Sequence, residues 1–138
     1  MNKNELFRFI NDNPVFSLAT CEENTPHVRT MMVVKTTEAG VIFNIKKYKP
    51  VYRQLIANPN VELCFYSQNL MTQVRISGKV TEIFDAILVD EILSNHPYLL
   101  EQIEKYGNDV IRLFEVKDWI ASLWDRKNMG NTRLCEFK

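Results

Sequence analysis

The chain has 138 residues, a length typical of a single domain that buries one core. Lys plus Arg and Asp plus Glu are both 17, so the formal net charge is 0 and no polybasic field exists to attract nucleic acid or an anionic membrane. No apolar run that could act as a signal peptide or span a bilayer is present, which predicts a cytoplasmic protein with neither nucleic acid nor membrane as a partner.

The cysteines argue against a metal site and against a disulfide framework. Cys21, Cys64 and Cys135 are widely spaced, form no C-x-x-C pair, and are accompanied by two histidines only, His27 and His96. No zinc is therefore predicted. An odd number of unpatterned cysteines is typical of a reducing compartment.

The first half of the chain predicts one helix and a three-stranded meander. Apolar residues between Leu6 and Ile10 indicate a short amphipathic helix that ends by Asn13-Pro14. Val15–Thr20 is rich in strand-forming residues, and a polar loop leads from it into the strand that contains Arg29. A turn at Gly40 then introduces a third strand, Val41–Ile45.

The middle of the chain predicts a helix followed by two strands. Pro50–Ala57 has helical spacing with proline in its first turn, and Asn58-Pro59 ends it. Asn60–Ser67 and a longer run from about Thr72 to Phe84 read as strands, and Gly78 marks a bulge or bend in the second.

The last third returns from helix to strand. Residues 85–106 have helical spacing in two pieces separated by His96-Pro97, and Gly107 fits the position after a helix C-cap. Residues 110–116 and 119–124 are predicted as two successive β runs, and 134–137 as an edge strand. The order is mainly β with inserted helices (α+β), which favours one small antiparallel barrel domain over residues 1–138 and not a βαβ fold.

Motifs for familiar enzyme chemistry are absent. The sequence has no G-x-G-x-x-G, no Walker phosphate loop, no H-E-x-x-H and no G-x-S-x-G. The carboxylates are scattered along the chain. No catalytic acid or base is therefore predicted, and the catalytic residues stay unknown.

The most informative residue is Arg29, which lies in the apolar strand around Val28–Val34. It alternates with Met31 and Val33, so it points to the inner face or to a cleft, whereas Thr30 and Met32 share the other face. A permanently charged side chain is rarely buried without a partner. We therefore expect an anion, a carboxylate or a water-filled cleft beside Arg29.

Further polar residues interrupt the strands. Asn44 breaks an apolar run, and Lys46, Lys47 and Lys49 follow it toward the second helix, where they could clamp a phosphate together with Arg29. For Lys46 and Lys47, simple solvation explains the pattern equally well. Lys49 is favoured as a functional residue because backbone N–H groups at a helix start also attract an anion.

On a later strand, Gln73 and Arg75 share the face opposite Val74 and Ile76. This is typical of the exposed polar face of an amphipathic strand, which is the favoured interpretation for Arg75. For Gln73 both an exposed and a functional position remain open.

Taken in order, several segments resemble the pyridoxamine 5′-phosphate oxidase-like family of FMN-binding split barrels, in particular its short bacterial members. The resemblance runs from about Pro14 to Phe114 and rests on PVFSLAT (14–20), PHVR (26–29), VYRQLIANPNVEL (51–63), VRISG (74–78) and His96-Pro97. It implies a six-stranded antiparallel split β-barrel with peripheral helices that forms a homodimer, with two FMN sites at the subunit interface.

The resemblance also implies which residues bind the cofactor. Arg29 and Lys49 match the family's flavin-phosphate ligands, and Gln73 matches the glutamine of its Q-V-R strand. Five further residues would contact the flavin from two neighbouring strands: Thr30, Met31 and Met32 beside the isoalloxazine, and the pair Asn44 and Ile45.

The sequence departs from the oxidases proper at two places. Lys49-Pro50-Val51 stands where those enzymes carry a serine-arginine-lysine clamp, which shifts phosphate contacts onto Lys49 and Lys46 or Lys47. The C-terminal tryptophan and arginine of the oxidases have no clear match. Four residues are candidates by type only: Trp119, Trp124, Arg126 and Arg133. Oxidation of pyridoxamine phosphate is therefore not implied.

Three hypotheses follow, in this order. The first is an FMN-dependent oxidoreductase that acts on an unknown small molecule, with a nicotinamide as a possible electron donor. The second is a non-catalytic protein that holds flavin or haem in the same dimer-interface cleft, with His27 and His96 as the available imidazoles. The third is a barrel dimer without cofactor, in which Arg29 is salt-bridged to an acidic residue.

Overall fold

The computed structural model describes residues 1–137, with backbone only at Phe137, so Lys138 of the predicted 1–138 domain lies outside the described residues. The elements in chain order are α1 (Lys3–Asp12), β1 (Val15–Glu22), β2 (Thr25–Thr36), β3 (Val41–Lys46), α2 (Pro50–Ala57), β4 (Asn60–Ser67), β5 (Thr72–Ile83), α3 (Ala86–Asn95), α4 (Tyr98–Tyr106), β6 (Ile111–Asp125) and β7 (Arg133–Phe137).

The strands form one antiparallel sheet that closes on itself. Their order is β3-β2-β1-β4-β5-β6-β7, and β3 also pairs with β6. This extra pairing joins the two sides of the sheet, so β1 to β6 form a closed barrel and β7 adds to the free edge of β6. The predicted six-stranded antiparallel split barrel with peripheral helices is confirmed.

β6 is the clearest difference from the sequence prediction. Residues 110–116 and 119–124 were expected as two runs, but β6 is continuous from Ile111 to Asp125. Asp118 adopts a positive φ of 47°, opposite a register shift between Ser77 and Lys79 on β5. The polar pair between the two runs is thus a β-bulge, which bends the long strand without ending it.

Local sequence signals determine the helix ends. The Asn2 side chain accepts a hydrogen bond from the Glu5 backbone at 2.8 Å while the Glu5 carboxylate accepts one from the Asn2 backbone at 2.9 Å, which makes a capping box for α1. α3 ends at Asn95 before His96-Pro97, as predicted. Gly107 follows α4 with φ 101, a conformation that favours glycine.

Two apolar clusters hold the domain together. The barrel interior is filled by inward side chains, in which Phe16 meets Phe43 at 5.5 Å and Phe65 at 5.1 Å between ring centroids. A second cluster lies outside the barrel, between α3, α4 and the outer side of β3 and β6; its buried members are Ile42, Ile92, Leu99, Val110, Ile111 and Leu113. The helical insertion is therefore packed onto the barrel wall.

The barrel is split between β2 and β3. These strands pair from Val33 with Phe43 to Thr36 with Val41, and no pairing is formed between the Arg29–Met32 part of β2 and the Asn44–Lys46 part of β3. α2 follows β3 directly and packs against β1 and β3 at this opening. The split places the polar residues of both strands beside the start of α2.

Other expectations concern metals, cysteines and membranes. Within residues 1–137 the three cysteines are free and no group of three or more His, Cys, Asp or Glu side chains is arranged to hold a metal ion. None of the helices in that range is both long and apolar enough to cross a membrane.

Candidate functional site

A cavity of about 390 Å³ occupies the split between β2 and β3. Its walls come from three elements that are separate in sequence: β2, β3 and the start of α2. The lining residues are Arg29, Thr30, Met31, Asn44, Ile45, Lys46, Lys49, Pro50 and Val51. Three of these side chains are cationic and none is acidic, so the cavity suits an anion.

Arg29 projects from β2 toward α2. Its Nη1 donates to the Thr20 Oγ1 at 2.8 Å and to the Leu18 carbonyl at 3.3 Å, and its Nη2 donates to the Gln54 Oε1. All these acceptors are uncharged. No described carboxylate lies within ion-pair distance of Arg29, so the guanidinium charge is not neutralised inside the protein.

The hydrogen-bonding capacity of Arg29 is only partly used. A guanidinium has about five N–H donors. The described partners take both Nη1 donors and one Nη2 donor. The Nε–H and the second Nη2–H lie on one edge of the planar group and remain available. This edge is the fork that binds two oxygens of a phosphate or carboxylate. Burial lowers the pKa of Arg29, which an anionic ligand would offset.

Two lysines add to the positive potential of the cavity. Lys46 ends β3 and donates from Nζ to the Asn44 Oδ1 at 3.3 Å. Burial and then the charge of Lys49 lower the pKa of Lys46. An anion in the cavity would offset the cost of placing the Lys46 charge there.

The start of α2 contributes less than the sequence suggested. Lys49 is the N-cap and Pro50 the first helical residue, which has no N–H. The Tyr52 N–H donates to the Lys49 carbonyl at 3.1 Å. In this first turn, the Val51 amide has no described acceptor, so the start of α2 offers fewer free N–H groups than an ordinary helix N-terminus.

Most predicted site residues converge on the cavity and two do not. Six of them line it: Arg29, Thr30, Met31, Asn44, Ile45 and Lys49. Met32 is 44% exposed and pairs with Val15 on the outer face of the barrel. Gln73 lies on β5, with β1 and β4 between it and β2. It pairs with Tyr66 and Trp124, also away from the cavity.

Sequence reasoning missed Thr20 and Gln54, the side chains that hold Arg29. Both are only 3% exposed, and the Thr20 Oγ1 donates to the Gln54 Oε1 at 2.7 Å. The signal was present in the periodicity. Thr20 follows Leu18 at the two-residue spacing of one strand face, and Gln54 shares a helical face with Val51 and Leu55.

Other candidates have structural partners elsewhere. Lys47 pairs with Asp109 at 3.1 Å and Arg75 with Glu62 at 3.3 Å, both at exposed positions. Arg133 pairs with Asp125 at 2.6 Å. Trp119 is fully buried in the barrel core. Neither His27 nor His96 lines the cavity.

A larger depression of about 600 Å³ lies at the β5–β6 bulge, around Gly78 and Asp118. It is an open surface feature, and none of the predicted site residues lines it. Lys117, one of its cations, is already paired with Glu115 at 3.3 Å. The smaller cavity in the split therefore remains the candidate site.

Comparison with known proteins agrees with this arrangement. The family model described as pyridoxamine 5′-phosphate oxidase matches residues 3–118, which include every wall of the cavity. The chain belongs to the pyridoxamine 5′-phosphate oxidase family. A pyridoxine/pyridoxamine 5′-phosphate oxidase from Psychrobacter sp. (strain PRwf-1) is 32% identical over 83 residues, 59% of this chain. The chain spans only 38% of the length of that curated relative.

Solved structures of family-like proteins share the fold. A NimC/NimA family protein from Clostridium acetobutylicum matches with a TM-score of 0.78 and 22% identity over 96% of this chain and 92% of its own. An FMN-binding, pyridoxamine 5′-phosphate oxidase-related protein from Nostoc punctiforme matches at 0.64 and 14%, over 99% and 96%. A heme-binding protein from Mycobacterium smegmatis matches at 0.68 and 12%, over 93% and 55%.

Proposed function

We propose that the protein binds FMN in the cavity of the split and is an FMN-dependent oxidoreductase that acts on a small molecule. The observation that carries the proposal is that Arg29, whose Nε–Nη2 edge has no described partner, lines a cavity with Lys46 and Lys49 and without an acidic side chain. Membership of the family and the FMN-binding relative from Nostoc punctiforme support this choice of ligand.

The donor set fits the phosphate end of FMN. A phosphate monoester carries between one and two negative charges near neutral pH, and Arg29, Lys46 and Lys49 offer three cationic groups of complementary charge. Neutral acceptors hold Arg29 in place without consuming its charge. The third hypothesis, an internal salt bridge, requires a carboxylate beside Arg29. None of the described carboxylates lies within ion-pair distance of this residue.

The other walls fit the less polar part of the cofactor. Ile45, Met31 and Val51 line the cavity with apolar side chains, and Thr30 lies in a segment of β2 that pairs with β1 but not with β3. Asn44 is 8% exposed and supplies a side-chain amide. When bound, the flavin would supply the electron-transfer chemistry, and these residues would bind and orient it.

Met32 and Gln73 require a second subunit in this proposal. Both lie on the outer face of the barrel, which carries a group of exposed apolar side chains on adjacent strands: Val15 at 51%, Met32 at 44% and Tyr66 at 47%. Dimerisation through this face would bring Gln73 of one subunit toward the cavity of the other. We therefore propose a homodimer with the flavin between the subunits.

The alternative is a non-catalytic protein that holds flavin or haem in the same cleft. The structural similarity to the heme-binding protein from Mycobacterium smegmatis is the reason to consider haem as a ligand. The side chains at the cavity favour flavin because haem needs an axial ligand. His27 lies near Glu22 at 3.9 Å and His96 packs on Tyr98, both outside the cavity.

The visible spectrum of the untagged, purified protein separates these ligands. A flavin spectrum, or one acquired on adding FMN to the colourless protein, supports the proposal. A Soret band identifies haem and overturns it, and a colourless protein that retains no added FMN excludes both. Bleaching of the bound flavin by NADH or NADPH then distinguishes an oxidoreductase with a nicotinamide donor from a binder, and dithionite serves as the control that the flavin can be reduced.

A further inference from the structure

Arg29, Thr20 and Gln54 form a closed hydrogen-bonded triangle behind the cavity. Arg29 donates to both of the other side chains, and the Thr20 hydroxyl donates to the Gln54 Oε1 at 2.7 Å. Thr20 and Gln54 are each 3% exposed, so solvent cannot replace either partner. The three residues come from β1, β2 and α2, and the triangle therefore links the helix to both strands.

The triangle determines which edge of the guanidinium remains free. The Thr20 Oγ1 binds Nη1 and the Gln54 Oε1 binds Nη2, and these two oxygens are only 2.7 Å apart. They therefore occupy the Nη1–Nη2 end of the planar group. The opposite donors, Nε–H and the second Nη2–H, remain on the other edge.

The side-chain partners of Arg29 are also both uncharged. An amide and a hydroxyl accept hydrogen bonds without a formal charge, so they fix the direction of the guanidinium and leave its attraction for an anion intact. Glutamate has almost the same shape as Gln54 but would form an ion pair with Arg29. The same geometry would then compete with a phosphate.

We propose that Gln54 and Thr20 are positioning residues that aim the Nε–Nη2 fork of Arg29 at the phosphate of the bound ligand. This inference rests on the proposed FMN function. It also links Gln54 to Lys49, because Gln54 lies in the helix whose N-cap position is Lys49. One helix thus positions two of the three cations of the site, Arg29 and Lys49, and loss of the Gln54 contact acts on phosphate recognition before it acts on the flavin ring.

The test compares FMN with riboflavin, which lacks the phosphate. Flavin fluorescence quenching gives the affinity of the refolded or flavin-stripped dimer for each. Gln54→Glu is expected to lower the affinity for FMN by about tenfold or more and to leave that for riboflavin within about twofold. Gln68→Glu adds the same charge at an exposed turn and is the matched control, with both affinities unchanged.

Thr20 provides a second pair of variants that adds no charge. Thr20→Val removes the hydroxyl while keeping the shape, and the preference for FMN over riboflavin should fall about threefold to tenfold. Thr20→Ser restores the hydroxyl and should restore the preference. If Gln54→Glu fails to fold, as judged by circular dichroism, the valine and serine variants at position 20 decide the question.

The Nε–H resonance of Arg29 in a nitrogen–proton correlation spectrum shows directly whether the Nε–Nη2 fork binds an anion. In the wild-type protein it should shift on addition of FMN or of inorganic phosphate, and in Gln54→Glu this shift should be lost. Equal preference for FMN in wild type and in both sets of variants overturns the inference. A wild-type protein that does not prefer FMN over riboflavin instead overturns the proposed function.

Discussion

Arg112 and Glu82 form an ion pair with 2.6 Å between Nε and Oε1, at the end of the barrel where α2 packs. Their side chains are 18% and 10% exposed, and the Tyr52 hydroxyl donates to the same carboxylate at 3.3 Å. The Arg112 guanidinium also lies over the Tyr52 ring, 5.7 Å from its centroid. This cluster ties α2 to β5 and β6 below the candidate site.

Removing one charge of this pair should destabilise the fold. In Glu82→Gln, Arg112 keeps its charge in a partly desolvated place without a carboxylate, and the free energy of unfolding should fall by about 2 kcal/mol. Urea unfolding measures it. Glu91→Gln is the matched control, because the Lys35–Glu91 pair, at 2.8 Å, is far more exposed. Its loss should change the free energy of unfolding by less than about 0.5 kcal/mol. Equal effects would show that the Glu82 pair has no special role.

Because of Lys46, the affinity for FMN should depend on pH in the alkaline range. Burial and the charge of Lys49 lower its pKa from the ordinary 10.5. A bound phosphate favours the charged lysine and raises this pKa, so binding takes up a proton when the pH lies between the two values. The affinity for FMN should therefore fall as the pH rises through the lowered pKa of the free protein.

The comparison that isolates Lys46 is Lys46→Arg, because arginine stays charged over the whole range. Its affinity for FMN should decline less between pH 7 and about pH 10 than that of the wild type. Riboflavin binding should show no such difference between the two proteins. A wild-type profile that coincides with that of Lys46→Arg would remove Lys46 from the phosphate site.

A charge on the outer face should separate the proposed dimer. Met32 lies beside Val15 in the β1–β2 register, and both are exposed in the single chain. Met32→Glu would bury a carboxylate in an apolar interface, so sedimentation velocity should show monomers and flavin retention should drop. Ile87→Glu on α3, at a position 82% exposed, is the control that should stay dimeric. A wild-type monomer with full flavin content would contradict the proposed assembly.

The sequence predicted the barrel because alternation of apolar residues defines strand faces locally. The inward position of Arg29 with Met31 and Val33 followed from the same two-residue period, and the structure agrees. The continuity of β6 did not follow, because a bulge at Asp118 and a chain reversal both appear as a polar interruption between β runs.

The site was predictable only where its residues are close in sequence or matched the family pattern. The bond between Thr20 and Gln54 joins residues 34 positions apart and depends on how α2 docks onto β1. Gln73 was grouped with the same flavin site, although within one chain β1 and β4 lie between its strand and β2. Such relations arise from tertiary packing, which local periodicity does not encode.

The central claim is that Arg29 anchors the phosphate of FMN, and the affinities of wild type and Arg29→Met for FMN and riboflavin test it most directly. The wild type should bind FMN more tightly than riboflavin, and Arg29→Met should lose about 2 kcal/mol or more of FMN binding while riboflavin binding is unchanged. If Arg29→Met remains folded and keeps the wild-type preference for FMN, the assignment of the cavity as a flavin-phosphate site is wrong.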